Sequence, residues 1–421
     1  MKTIKLIFTT ISLLLIMSHV QAAYLLVPMD NSQREHLKAY GIAYWALQNG
    51  IEIKWLLNYR GGSFLMPFYK DIETECQVRG VTSEVIADVQ AGQILTEIAS
   101  PEINMDAVKL EKAPRIAVYS PKGKQPWDDA VTLALTYAEI PYDIIYDEEV
   151  INREIFNYDW LHLHHEDFTG QYGKFYAAFH HMNWYQEEVR RNEAMAEKLG
   201  FSKVSELKYS VAKVIQEYVV NGGYMFAMCS AADSYDISLA AHKTDICEKM
   251  FDHDPADPAA QSKLDFSQTF AFRDFKLVTN PLQYEFSNID VTETRKVKKD
   301  QDYFSLFDFS AKWDPVPSML CQNHSKLIKG FMGQTTAFRK KLVKPNVLIM
   351  GENKPAGEAR YIHGEFGKGT WTFLGGHDPE DYRHRVGEKP TELKLFPNSP
   401  GYRLILNNVL FPAAKKKKLK T

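Results

Sequence analysis

From Arg115 onward, short apolar runs alternate with amphipathic stretches, and this alternation constrains the fold more than any other feature of the chain. Arg115–Tyr119, Tyr142–Tyr146, Asp159–His165 and Tyr224–Met228 are long enough for buried strands and too short for helices. Between them, residues 127–138, 184–199 and 204–220 carry helical periodicity, and the last stretch stops at Asn221-Gly222-Gly223, a C-cap signal. Strands separated by helices pair in parallel through right-handed crossovers, so an α/β fold with a mostly parallel sheet is expected.

The flanking segments differ. Tyr24–Pro28 and Ile51–Leu57 read as strands around a helix at 33–48, residues 58–80 read as irregular, and 84–98 reads as a helix. Residues 250–345 break the alternation; they are rich in Asp, Phe, Lys and Pro and read as a large insertion or β-rich excursion. Asn346–Met350 returns as a strand. Ala359–Phe366 and Thr370–Leu374 form a hairpin around Gly367-Lys368-Gly369, and Tyr402–Leu410 closes as a helix. The resulting division is an N-terminal α/β lobe at 23–110, a core at 111–249, the insertion at 250–345, core completion at 346–412 and a basic tail at 413–421.

Residues 1–22 have the order of a secretory signal peptide: Lys2 and Lys5, a short apolar run over Ile7–Met17, then small residues at Val20-Gln21-Ala22. Export to the periplasm or beyond is therefore expected. Loss of the two lysines would take the formal charge from −3 to −5. Nothing in that balance favours nucleic acid, and no later run is long enough to span a membrane. Four cysteines (Cys76, Cys229, Cys247 and Cys321) are too few for a disulfide framework in 421 residues.

Cys229 is singled out by its surroundings. Gly222-Gly223 ends a helix, Tyr224–Met228 is an apolar strand, Cys229–Ala232 reads as a tight turn, and a helix follows from Asp233, which caps it. A strand–turn–helix presents a nucleophile: the helix N-terminus favours thiolate, and the Ser230 N–H points where an oxyanion would form. A second apolar strand, Thr370–Leu374, delivers Gly375-Gly376-His377-Asp378-Pro379-Glu380 into a loop. There His377 would take the thiol proton, with Glu380 or Asp378 fixing its tautomer. A third cluster is His162-Leu163-His164-His165-Glu166-Asp167. Strand alternation puts His162, His164 and Glu166 on one face and His165 and Asp167 on the other. A row along one strand lacks the crossing third element a metal needs, so neither metal nor other cofactor is expected. His164 and Glu166 are expected instead at the ligand-binding mouth, with Glu166 beside Cys229 or facing a substrate hydroxyl.

A cysteine elbow after a Gly-Gly strand, followed late in the chain by a hairpin and a His–Glu loop, resembles the class I glutamine amidotransferase-like superfamily. The stretch Gly367-Lys-Gly-Thr-Trp-Thr-Phe-Leu-Gly-Gly-His377-Asp378 is similar to its ThuA-like, trehalose-utilisation branch. The resemblance covers residues 115–245 and 346–411. It implies a three-layer, flavodoxin-like fold and a Cys229–His377–Glu380 hydrolase acting on an amide or related acyl group of a small molecule. The pattern differs in two places: Ala227-Met-Cys229-Ser-Ala231 stands where the amidotransferases have Gly-x-Cys-x-Gly, and Asp378 is inserted into their His-Pro-Glu. Two further functions therefore stay open, a ThuA-like carbohydrate-handling or ligand-binding role without cysteine catalysis, and a non-catalytic envelope role. The whole chain also resembles exported bacterial proteins known as asparagine synthetase B. That activity would need a cysteine at position 2, where Lys2 stands, and a Ser-Gly-Gly-x-Asp-Ser pyrophosphate loop, which the sequence lacks.

Overall fold

The computed structural model describes residues 22–123 and 125–414. The expected signal peptide and the lysines of the basic tail lie outside the described residues, apart from the signal's last position, Ala22.

Two sheets organise the chain. The first is antiparallel and built within residues 22–110, from β1 (Ala22–Val27), β2 (Ile53–Leu57), β3 (Ser63–Pro67), β4 (Glu84–Ala87) and β5 (Asp106–Leu110), in the order β4-β1-β3-β2-β5. The segment 58–80, expected to be irregular, supplies β3 and a helix at Lys70–Arg79. The apolar run Ser63–Pro67 pairs with β1, Tyr24 opposite Pro67 and Val27 opposite Phe64, and that tertiary pairing has no signature in so short a run. In the same way β4 takes the start of the expected 84–98 helix, which begins at Asp88 instead.

The second sheet is mixed. Its parallel part uses β6 (Ile116–Tyr119), β7 (Asp143–Ile145), β8 (Trp160–Leu163), β9 (Tyr224–Met228) and β15 (Gly369–Leu374), side by side in the order β7-β6-β8-β9-β15. Antiparallel strands extend it beyond β15: β14 (Glu358–Phe366), β13 (Leu348–Asn353), β10 (Tyr303–Leu306) and β11 (Leu327–Lys329), with β12 (Phe338–Arg339) pairing to β14. The inner parallel strands β6, β8 and β9 are mostly apolar because both their faces are covered, whereas the edge strand β7 is largely exposed. Ile116, Val118, Trp160, Phe226 and Met228 enter one core with the helices Ala130–Tyr137 and Pro400–Leu410. Ala117, Tyr119, Leu161, Leu163, Met225 and Ala227 enter another with the helices Val204–Val220 and Ser230–Ala240.

Residues 250–345 are not a separate unit. They supply β10, β11 and β12 to the second sheet, and their 331–337 loop runs along the chain beyond β15. Gly376 N–H donates to Thr335 O at 2.8 Å and His377 N–H to Met332 O at 2.9 Å. Buried Arg360 on β14 braces the same loop, donating to the carbonyl of Thr336 and, at 3.0 Å, to that of Phe331. Arg360 therefore supports the backbone of this loop. Gly376 takes φ +100°, and a side chain there would run into the Phe331 ring, so this crossing needs glycine.

Candidate active site

Four parallel strands end on one rim, and the chain leaving each brings a functional group to it: Trp127–Asp129 after β6, His164 and His165 after β8, Cys229 after β9 and His377 after β15. This is the carboxyl edge, where open α/β sheets bind ligands. Cys229 follows the last residue of β9 directly and is itself the N-cap of the helix Ser230–Ala240. The helix thus begins three residues earlier than the sequence suggested, because Cys229 turns the chain alone, at φ 53°, ψ −140°. That backbone conformation costs a non-glycine residue about 1–3 kcal/mol and aims the side chain off the sheet edge. Ala227 and Ala231 carry none of this strain. They lie in β9 and in the helix, with no positive φ, so alanine serves where the amidotransferase pattern has glycine. Ala231 N–H donates to His164 O at 2.8 Å and ties the elbow to the end of β8.

The Cys229 thiol and the His377 ring line the same cavity, and the thiol is one of the neighbours that act on the ring's charge. Burial and the neighbouring His164 pull the His377 pKa down, but Asp128 and Cys229 beside it outweigh them and leave it raised. Its Nε2 lies 4.0 Å from Asp128 Oδ1, within ion-pair range but too long for a hydrogen bond. Burial would raise the Asp128 carboxyl; His377 and His384 reverse this and hold it far below the usual carboxylate range. His384 Nε2 approaches Asp128 Oδ1 at 2.8 Å and His384 Nδ1 approaches Asp381 Oδ2 at 3.1 Å. These contacts, Asp128 foremost, raise the His384 pKa to about 9. The rings of His164, His377 and His384 form a stack, with centroids 4.5 Å and 4.7 Å apart.

The rim opens into a cavity of about 260 Å³, lined among others by Trp127, Phe175, Cys229, Tyr284, His377 and His384. Gly333 sits over the sulfur: a Cβ there would lie 3.1 Å from Cys229 Sγ and 2.8 Å from the His377 backbone nitrogen. The 331–337 loop therefore approaches the thiol as closely as a bare backbone allows.

Cys229, His164 and His377 meet as the sequence suggested, and Ser230 opens the helix behind the thiol. Glu380 does not join them. Its carboxylate lies near Ser399 instead, and burial raises its pKa; Asp128 is the carboxylate that faces His377. Asp378, fully buried, shapes the loop instead of a ligand site, accepting from Glu380 N–H at 2.8 Å and Asp381 N–H at 3.3 Å. Asp233 is not a cap either. It lies inside the first turn, accepts from Thr335 Oγ1 at 2.8 Å, and is pushed by burial to about 7.

The third cluster also divides differently. β8 ends at Leu163, so strand alternation does not extend to the residues beyond it. His164 and His165 come to the same hollow, ring centroids 4.8 Å apart, while Glu166 turns away from Cys229 toward Tyr146, with 3.4 Å between Oε2 and the hydroxyl. His162 is buried against Asp129, Nε2 to Oδ2 3.2 Å.

The functional groups missed in the sequence are Asp128, His384 and Gly333. By sequence Asp128 reads only as a helix start, and His384, in the Arg383-His384-Arg385 charge run, reads as a solvated or paired residue or as a holder of an anionic ligand, not as a neighbour of His377. An acidic pair placed just after Trp127, on the loop leaving the first parallel strand, is the signal that points to Asp128.

No family model and no curated protein matches the chain. Among solved structures, a cytoplasmic protein from Salmonella typhimurium aligns over 72% of this chain and 100% of its own, at 12% identity and a TM-score of 0.35. A second cytoplasmic protein, from Salmonella typhimurium LT2, gives the same values. A catalytic mutant of a GH42 beta-galactosidase from G. stearothermophilus aligns over 62% of this chain and 27% of its own, at 11% identity and a TM-score of 0.26. At these scores the likeness bears on neither substrate nor activity. Among the described residues, no helix is long and apolar enough to cross a membrane.

Proposed function

We propose that the protein is a cysteine-dependent hydrolase of the class I glutamine amidotransferase-like kind, acting on an amide or related acyl group. The observation that carries this reading is the line Cys229–His377–Asp128 at the mouth of a cavity. In the reaction, His377 takes the Cys229 proton and the sulfur attacks the acyl carbon, forming a C–S bond. The carbonyl oxygen takes up the negative charge, facing the N-terminus of the helix that starts at Ser230. Collapse breaks the C–N bond, and His377 protonates the leaving amine. Water, deprotonated by His377, then cleaves the thioester and restores the thiol. Asp128 keeps the imidazole charged and oriented between the two steps. The parallel order β7-β6-β8-β9-β15 supports a flavodoxin-like, three-layer assignment for this unit.

The other thiols make the test sharp. Burial pushes Cys76 up to about 11 and Cys321 up to about 12, and raises Cys247 well above the usual thiol range. With iodoacetamide at neutral pH, mass spectrometry should find Cys229 alkylated at least about 10-fold faster than these three, and His377→Ala should abolish the difference. Equally slow labelling of all four would end the hypothesis.

One observation favours a second reading, a carbohydrate-handling site of the ThuA-like kind. Trp127, Phe175 and Tyr284 line the same cavity, an aromatic lining against which a sugar could pack. It predicts thermal stabilisation by a sugar in a ligand screen, kept in Cys229→Ser; a screen with no stabilising sugar counts against it. Export is part of the proposal in either case, and a mature protein beginning at Ala23 in the periplasm or medium is the result expected of N-terminal sequencing.

A further inference from the structure

We propose that Asp128, His377 and His384 form a binding site for one divalent transition-metal ion of the zinc class, and that occupancy of this site silences the Cys229 thiol. The second half rests on the hydrolase reading; the first does not.

The donor set is two imidazoles and one carboxylate, a combination that suits zinc and its neighbours. One ligand atom from each residue lies within 4.8 Å of the other two. Donors sharing one zinc ion at 2.0–2.1 Å stand about 3.3 Å apart, so His384 Nε2 and Asp128 Oδ1, now 2.8 Å apart, would part slightly, and His377 Nε2, 4.0 Å from that oxygen, would close in by less than about 1 Å. The His377 and His384 rings are nearly parallel, 14° apart, and one must tilt for both to point at a single ion. All three residues hang on loops beyond strand ends, where side-chain rotation suffices.

A second observation points to a ligand. Both Asp128 carboxylate oxygens, His377 Nε2 and His384 Nε2 are buried without an aligned hydrogen-bond partner among the described residues. The short approach of His384 Nε2 to Asp128 is close in distance but poorly directed, as is the longer one of His377. The side chains of Asp128, His377 and His384 are only 7%, 9% and 4% exposed, so bulk water does not compensate these atoms. A cation placed among them would satisfy all three residues at once.

The outer contacts are those of a metal-bound histidine. Asp381 Oδ2 accepts from His384 Nδ1 at 3.1 Å, so an ion that displaces the Nε2 proton would find that nitrogen as its ligand, with the ring held from the other side. The site borders the cavity through His377 and His384, so an ion has a way in and an open coordination position would face a ligand.

His377 cannot serve both purposes. With its nitrogen and Asp128 committed to an ion, it neither accepts the thiol proton nor is held by the carboxylate. Zinc and thiol chemistry are then alternative states of one site.

The test uses the full chain freed of metal by chelator dialysis. Zinc binding is read by competition with a chromophoric chelator, and Cys229 alkylation is followed with and without zinc. One zinc per chain is expected. His384→Ala should weaken binding more than 100-fold. Asp381→Asn, which keeps an oxygen for the Arg383 N–H and changes only the partly exposed outer carboxylate, should weaken it roughly 10–100-fold. Zinc should slow Cys229 alkylation at least 10-fold in the native protein, reversibly with chelator, and should not slow it in His384→Ala. Absent binding, or binding unchanged in both variants, overturns the site. Protection of Cys229 that persists in His384→Ala assigns the zinc to the sulfur and overturns it as well. Tight, His384-dependent binding alongside a Cys229 that is unreactive without zinc supports the site while refuting the hydrolase. Fast labelling without zinc binding does the reverse.

Discussion

Two buried polar clusters leave the end of β8 in opposite directions, and they are built on different terms. Around Lys208, on the helix Val204–Val220, the charges are matched. Nζ lies 3.0 Å and 2.9 Å from the two Asp147 oxygens, 2.9 Å from the Tyr146 hydroxyl and 3.2 Å from that of Tyr119. The hollow beside it holds about 10 Å³. Around His377 the groups are as close to one another but poorly paired: His164, His377, His384 and Asp128 all keep buried atoms without aligned partners, beside a cavity of about 260 Å³. A fully paired ammonium with no room beside it is what folding selects. An unsatisfied cluster at an opening is maintained against its own cost, which points to function.

The comparison can be broken most forcefully at Lys208. Lys208→Met would leave the fully buried Asp147 carboxylate without its cation. Removing one partner of a buried pair costs about 3–5 kcal/mol, so urea unfolding should show a loss of that order. His377→Ala, which removes a ring whose buried Nε2 has no aligned partner, should cost less, about 1–2 kcal/mol after the truncated packing is counted. Equal losses would erase the distinction between the two clusters.

Gly333→Ala sharpens it from the other side. The added methyl would sit 3.1 Å from Cys229 Sγ and closer still to the chain at Gly376–His377. The loop cannot retreat freely, because Arg360 and the backbone bonds to Gly376 and His377 fix it. A destabilisation of about 1–3 kcal/mol is expected from the overpacking, together with slower alkylation of Cys229. An unchanged labelling rate would mean that the loop does not form the lid of the site.

How far the sequence leads to this arrangement depends on the range of the interaction concerned. The parallel strands and the helix 204–220 are legible because their apolar periodicity is local. So is the Cys229 elbow, since strand, turn and helix succeed one another directly. The pairing of Cys229 with His377 is legible only because both come after apolar runs that have to lie in the same sheet. β3 escapes because its pairing with β1 is tertiary, and Glu380 stands out ahead of Asp128 because sequence neighbours are visible and spatial ones are not. The split of His164 and His165 from Glu166 is hidden for a different reason. Alternation of faces holds only while the strand continues, and β8 stops at Leu163.

Glu166 offers the finest test of that split. Burial raises its carboxyl to about 8, against the opposing pull of Lys208. A folded-state pKa above the unfolded value means that the native protein holds an extra proton between the two. The contribution of Glu166 is therefore complete below about pH 4.5 and is lost as the pH rises through about 8. Glu166→Gln cannot ionise and mimics the protonated form, including its contact with Tyr146. At pH 5 the variant and the native protein should unfold at similar urea concentrations. By pH 8.5 the variant should be the more stable of the two, by about 1–2 kcal/mol once relaxation and partial solvent access are allowed for. The iodoacetamide reactivity of Cys229 should not change, because Glu166 faces the Lys208 cluster. A stability difference that is flat with pH would mean that the carboxyl is not kept neutral there, while altered labelling of Cys229 would return Glu166 to the thiol's side of the strand end.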